Sequence, residues 1–380
     1  MSADSEPIVP PPTPGSAAIS LALSGSASSP SEAADVAEAA KEADQASSIG
    51  RRLRSPSTWL SFAIPVALLA LVLKTFAGIN FGDLARGLAA ASPLPLVLAA
   101  LVFYAVFAVR GWRWQQLLGG VGIRLSWRDA TEILSLSWFV NCVVPARIGD
   151  VYRAYLLRRT RIGSASAGIG TVIIERGLDL VATAGIAVAA GLWITGSGVA
   201  TGGSVSLVGP IRISAIVLVV SVLALVAVIG THERILAVLP LPVRFSSVVA
   251  RFAEGLKCLN RRNFVPVSAA TVLSWLQETV RLSLVLAALH LEGVNLSYPE
   301  IAFLAMVASL LSAIPFTPAG LGLVEAGMIG VLTGVFGLPA TDAAMISLLD
   351  RAISTYSIIV LGGLLYLVSA KTRPAKALAT

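Results

Sequence analysis

The sequence predicts an all-α polytopic membrane protein of six full spans and two re-entrant hairpins, arranged as an inverted repeat. Three observations carry that expectation. Of the residues, 56% are hydrophobic and only 13% charged, whereas a soluble domain is nearer a quarter charged. Apolar runs long enough to cross a hydrocarbon core of about 30 Å recur along the chain. Lys and Arg gather in alternate loops, the pattern that marks cytoplasmic loops.

Residues 1–50 hold one Lys against seven acids, a net charge of −6, which leaves +13 for the remainder of a chain of net +7. This Pro-, Ala- and Ser-rich segment predicts a disordered acidic tail, since it cannot bury enough apolar surface to order itself. No basic stretch precedes its weak apolar patch, so it does not read as a signal peptide. Residues 51–380 are expected to form one transporter-like membrane domain, with halves at about 57–195 and 211–370. Its basic charge fits positive-inside loops and does not imply nucleic acid.

Full spans are expected near 57–76, 93–112, 166–195, 211–230, 264–290 and 343–369. "RRLR" at 51–54 places the N-terminus in the cytoplasm, and "KTRPAK" at 371–376 does the same for the C-terminus. The stretches 110–128 and 147–161 are both basic, yet the apolar run 130–145 lies between them. A single crossing would put one of them outside. A hairpin that dips in and returns leaves both inside. The loop at 196–210 is uncharged and fits the outside, the basic loop 231–263 the inside, and the acidic loop 291–300 the outside. That sequence closes only if 301–336 is a second hairpin, entered from the opposite face.

The two halves match. At offset 171, Arg110 meets Arg281, Gly122 meets Gly293, Ser126 meets Ser297, Trp127 meets Tyr298 and Asp129 meets Glu300. Pro145 and Gly149 meet Pro318 and Gly322 at offset 173, and Arg176 meets Arg351 at 175. Each half then has three spans and one hairpin, and an odd number inverts the second half. "PARIG" (145–149) and "PAGLG" (318–322, with Gly320 central) are expected at the hairpin tips, Pro ending the helix and Gly allowing the reversal. Broken backbone at that depth is tolerated only inside protein or beside water.

Charges fall inside the apolar runs. Glu175, Arg176 and Asp179 lie in one span, Asp350 and Arg351 in the matching one; Asp150 and Glu325 follow the two tips. A charge at the bilayer centre costs about 2.5–3.5 kcal/mol, so the five span charges, left alone, would cost on the order of 12–17 kcal/mol. They must pair or face water. One reading is a structural ion-pair network that locks the halves together. The other is a polar cavity for a charged headgroup, with Arg147, Arg176 and Arg351 and two half-helix N-termini favouring an anion such as phosphate.

Other signals are weaker. Cys142 and Cys258 suggest neither a disulfide nor a metal site, and His232 and His290 are isolated at loops or helix ends. No phosphate-binding loop, zinc motif or serine elbow occurs. Trp59, Trp112, Trp114, Trp127 and Trp193 read as interface anchors. No cofactor and no metal is expected.

The strings "NCVVPARIGDVYRAYLL", "VIIERGLDLV", "FTPAGLGLVEAG" and "LLDRAIS", in that order, resemble the lysylphosphatidylglycerol synthase transmembrane-region family, flippase-like proteins, over about residues 57–370. The resemblance implies a multi-pass protein of a bacterial or archaeal inner membrane that handles lipids. It implies a polar site at Arg147, Asp150, Glu175, Arg176, Glu325, Asp350 and Arg351, to which the span pattern adds Asp179. The family's best-known members continue into a soluble domain that aminoacylates the lipid. Here the sequence stops eleven residues after the last expected span, so no synthase chemistry is expected. The expectation is a flippase or transporter of a phospholipid or lipid-linked headgroup, not an enzyme. The alternatives are a membrane-embedded enzyme acting on lipid, or an accessory partner in envelope glycoconjugate synthesis.

Overall fold

The computed structural model describes residues 79–197, 202–238, 243–315 and 317–372. The expected tail at 1–50, the first expected span at 57–76 and Trp59 lie outside the described residues. Among the described residues there are twelve α-helices, one 3-10 turn, one π turn and no strand.

Five rods are long and apolar enough to cross a membrane. They are α2 (Pro93–Gly120), α5 (Ala165–Gly196), α6 (Val208–Val238), α8 (Phe264–Leu289) and the run Ala340–Val368. The last is α11 (Ala340–Arg351), a π turn (Ala352–Tyr356) and α12 (Ser357–Val368). They fall on the five described spans that the hydropathy predicts. A short α1 (Phe81–Ala90), capped by the Asn80 side chain, precedes α2. α7 (Val243–Leu256) lies in the basic loop between α6 and α8.

Both expected hairpins are helix–break–helix units. The first is α3 (Trp127–Val143) and α4 (Ile148–Arg159); the second is α9 (Tyr298–Ser312), a 3-10 turn at Pro318–Gly320 and α10 (Leu323–Gly334). The matched segments before them share their local structure. Gly122 and Gly293 both take left-handed backbone (φ 79° and 76°). Four residues on, Ser126 and Ser297 cap α3 and α9, with Asp129 and Glu300 in the first turn. The repeat is therefore visible in local geometry as well as in residue identity. The apolar core joins both halves, with Phe103, Leu282, Phe303, Met306, Ile329 and Ile346 all buried.

One boundary departs from expectation with large consequences. α2 runs eight residues past the expected end at 112, so "RGWRWQQLL" is helix rather than cytoplasmic loop. Arg110, Arg113 and Trp114 are buried, and Trp114 is no interface anchor: its indole donates to Thr171 Oγ1 at 3.1 Å. Trp112, Trp127 and Trp193 remain exposed. The basic stretch 147–161 is likewise the return leg of the first hairpin, with Arg153 buried in α4. Both cysteines are buried and free, and His290 ends α8, bonded to Ser92 at 2.7 Å.

Candidate functional site

The two breaks meet each other. Ala146 N–H donates to the Pro315 carbonyl at 3.2 Å, and the Arg147 guanidinium reaches the Ser312 carbonyl at 3.4 Å. The first tip turns through Ala146 (φ 62°) and Arg147 (φ 53°), and the second through Ala319 (φ 50°), Gly320 (φ 71°) and Gly322 (φ 85°). Gly149, expected as a tip residue, is one step inside α4 and does not make the reversal. Its lack of a side chain serves close packing: a Cβ there would sit 2.0 Å from the Ser137 carbonyl oxygen. Asn141 and Ser137 staple the two legs, accepting from Gly149 N–H at 2.8 Å and donating to its carbonyl at 2.7 Å. Pro145 precedes the first turn and Pro318 opens the second.

One backbone donor at each half-helix N-terminus is capped by the protein's own groups. Asn141 takes an N–H of α4, and Glu325 accepts Gly322 N–H at 2.6 Å. Each cap satisfies one of the orphan donors at its helix end and leaves the dipole of that end in place.

The expected charges form ion-pair clusters from both halves. Glu175, 0% exposed, faces Arg113 at 2.7 Å, Arg153 at 2.9 Å and Arg176 at 3.4 Å. Asp179 joins Arg113 at 2.6 Å and Arg176 at 3.3 Å, and accepts from the Trp275 indole at 3.1 Å. Arg176 also approaches Asp150 at 3.5 Å. In the second half, Arg351 pairs with Glu325 at 2.9 Å and donates to the Ala319 carbonyl at 2.6 Å. Asp350 pairs with Arg281 at 2.9 Å, Arg281 with Glu278 at 3.1 Å and Glu278 with Arg110 at 3.2 Å.

The repeat extends to this chemistry. Asp150 and Glu325 are each the third residue of a half-helix, and each pairs with an Arg 26 residues on, Arg176 or Arg351. Each half thus ties its own break to its own following span. Five buried charges that sequence reasoning left out of the site complete the clusters: Arg110, Arg113, Arg153, Glu278 and Arg281. Glu278 and Arg281 carried a usable signal, lying three apart in the middle of the expected span 264–290.

Between the tips lies a cavity of about 110 Å3, walled by Arg147, Arg176, Glu278, Arg281, Asp350 and Arg351, with Phe103, Trp138 and Trp275 as its aromatic side. A second cavity of about 170 Å3 shares Arg147, Arg176 and Trp275 with the first and adds Asp150 and Asp179. All eight expected site residues are thus in these clusters or on these walls. Arg147, among the described residues, makes no ion pair; the two acids that act on it, Asp150 and Asp179, share the wall of the second cavity with it.

Comparison with known proteins agrees with this architecture. The chain belongs to the family described as lysylphosphatidylglycerol synthase TM region, whose model matches residues 58–362. It is 28% identical over 232 residues to a UPF0104 membrane protein of Methanocaldococcus jannaschii, covering 60% of this chain and 94% of that one. It is 26% identical over 329 residues to a UPF0104 membrane protein of Methanothermobacter thermautotrophicus, covering 80% and 91%. It is also similar, at 28% over 329 residues, to the glycosyltransferase AglD of Haloferax volcanii, covering 78% of this chain and 52% of that protein.

Proposed function

With membership of that family as the premise, we propose that this membrane protein moves a phospholipid or lipid-linked headgroup across the bilayer, through the cavity between the two breaks. The observation that supports it most is the meeting of Ala146 and Pro315 beside a cavity walled by charges from both halves. Broken helices that meet at a polar site are a recurrent design of transporters built from inverted repeats. A charged group inside a span marks a pathway by default. At about 110 Å3 the cavity is well below the roughly 300–1,000 Å3 of a pocket that encloses a whole small ligand. A headgroup fits this reading better than an entire lipid, with acyl chains left in the bilayer.

In this reading the halves are inverted, they rock against each other about the tips, and both termini face the cytoplasm of the inner membrane. Proteoliposomes containing acyl-labelled phospholipids, treated with a reductant that bleaches only the outer leaflet, test it. Bleaching past one half with protein present, and not without it, supports transport. Bleaching that stops at one half for folded protein, with every lipid tried, overturns it.

A further inference from the structure

The cavity has a sign. Six arginines of the clusters pair with six carboxylates. Arg147 is a seventh guanidinium on the cavity wall and has no such partner among the described residues. The site therefore carries one surplus positive charge. Every carboxylate of the clusters has an arginine within ion-pair distance, so none is left without a compensating cation.

Most polar atoms left without hydrogen bonds on this wall are donors or hydroxyls; the exception is Asp350 Oδ1, which lies 2.9 Å from Arg281 Nη2. Arg281 is only 6% exposed, and its Nε and Nη1 are buried with no hydrogen-bond acceptor. The Thr317 and Ser354 hydroxyls are buried and unpartnered as well. All three residues line the 110 Å3 cavity. Ser354 belongs to the π turn Ala352–Tyr356, which directly follows Arg351 and adds Ser354 and Thr355 to the wall. Single π turns inside helices recur at functional sites. Buried polar groups without a protein partner are rare in native proteins and are met by water, an ion or a ligand. Hydrogen bonds to an ionised group are about twice as strong as neutral ones, and arginine is matched in geometry to phosphate oxygens.

We propose that this cavity is an anion subsite for the phosphodiester of an unmodified anionic phospholipid, held by Arg147, Arg281 and the hydroxyls of Thr317 and Ser354, and that it discriminates against aminoacylated headgroups. A phosphodiester bears one negative charge and matches the surplus. An added lysyl group would bring cationic charge to a wall that has no carboxylate without a compensating cation. The transport of the lipid rests on the preceding reading; the charge selectivity of the subsite does not.

Two measurements on the purified full-length chain separate the claims. The first is lipid retention by native mass spectrometry with phosphatidylglycerol, lysylphosphatidylglycerol and phosphatidylethanolamine, with inorganic phosphate as competitor. The second is the proteoliposome assay with the same lipids. Phosphatidylglycerol should be retained at least about tenfold more tightly than its lysyl derivative. Thr317→Val/Ser354→Ala, which touches no ion pair, should weaken that retention about tenfold with an unchanged melting temperature. Arg281→Gln should weaken it further. Selective retention without movement of any lipid keeps the subsite and overturns transport. Equal retention of the lysyl derivative overturns the subsite's selectivity and leaves transport standing. Protection by inorganic phosphate with no retained lipid shows a free anion as the occupant and overturns the lipid assignment. Unchanged retention in the Thr317/Ser354 double variant removes those hydroxyls from the site.

Discussion

The chain reverses at Pro145–Arg147 with no glycine in the turn, whereas at Pro318–Gly322 it uses two. The second tip places Gly320 and Gly322 where φ is positive, a conformation that costs glycine little. Ala146 and its counterpart Ala319 are both left-handed, so the difference lies at the next position, where the first tip has Arg147 in place of Gly320, at roughly 1–2 kcal/mol. The two tips sit at equivalent points of a repeat, so the fold does not demand a side chain at 147. A long cationic side chain held in a disfavoured conformation, at the wall shared by two cavities, is the kind of strain that persists at functional sites. The acids behind the tips differ too. Glu325 is fully buried, caps α10 and pairs with Arg351. Asp150 is only partly buried, and its partner Arg176 also has Glu175 and Asp179.

The largest effect should come from the centre of the first-half cluster. Glu175→Gln leaves buried Arg153 against a neutral group and Arg113 with Asp179 alone. Breaking a buried ion pair from one side costs about 3–5 kcal/mol. Thermal unfolding in detergent should show a large fall in melting temperature. A fall of only a degree or two would mean that water reaches the cluster and that it is less closed than its burial indicates.

Next comes the contrast between the halves. Glu325→Ala removes both the cap of α10 and the carboxylate on Arg351, and should cost about 3 kcal/mol or more. Asp150→Ala leaves Arg176 with two other acids and should cost about 1 kcal/mol. Equal losses would show that the two half-helices are anchored alike. Gly149→Ala tests the other role assigned in the first break. Its methyl meets the Ser137 carbonyl, and such overpacking costs about 1–3 kcal/mol.

Much of this is legible in the sequence. The five rods, both breaks and the acids behind them follow from apolar run length, from Pro and Gly, and from charge inside apolar runs. The Arg partners are less legible for a physical reason. Arg110, Arg113 and Arg153 sit beside the ends of apolar runs, where a basic residue reads as a cytoplasmic loop. What holds them inside is an acid far away in sequence: Arg113 meets Glu175 across 62 residues and Arg110 meets Glu278 across 168. No local pattern carries that information. The misplacement of Gly149 has a similar origin, because a glycine at a close approach and a glycine at a reversal look alike in sequence. Only the backbone angles separate them.

The smallest effect on stability should accompany the sharpest test of the difference between the tips. Arg147→Gly makes the first break resemble the second. It relieves the left-handed strain but adds the backbone entropy of a glycine, and the two offset to within about 1 kcal/mol. The lost bond to the Ser312 carbonyl is long, at 3.4 Å, and should contribute little. The variant should therefore melt within a few degrees of the wild type. If Arg147 holds the headgroup anion, it should nonetheless stop lipid movement in proteoliposomes, and Arg147→Lys should restore part of it by returning the charge without the planar fork. A glycine variant that moves lipid at the wild-type rate would make the first tip a plain reversal like the second. The charge at its end would then be a property of the turn, not of the pathway.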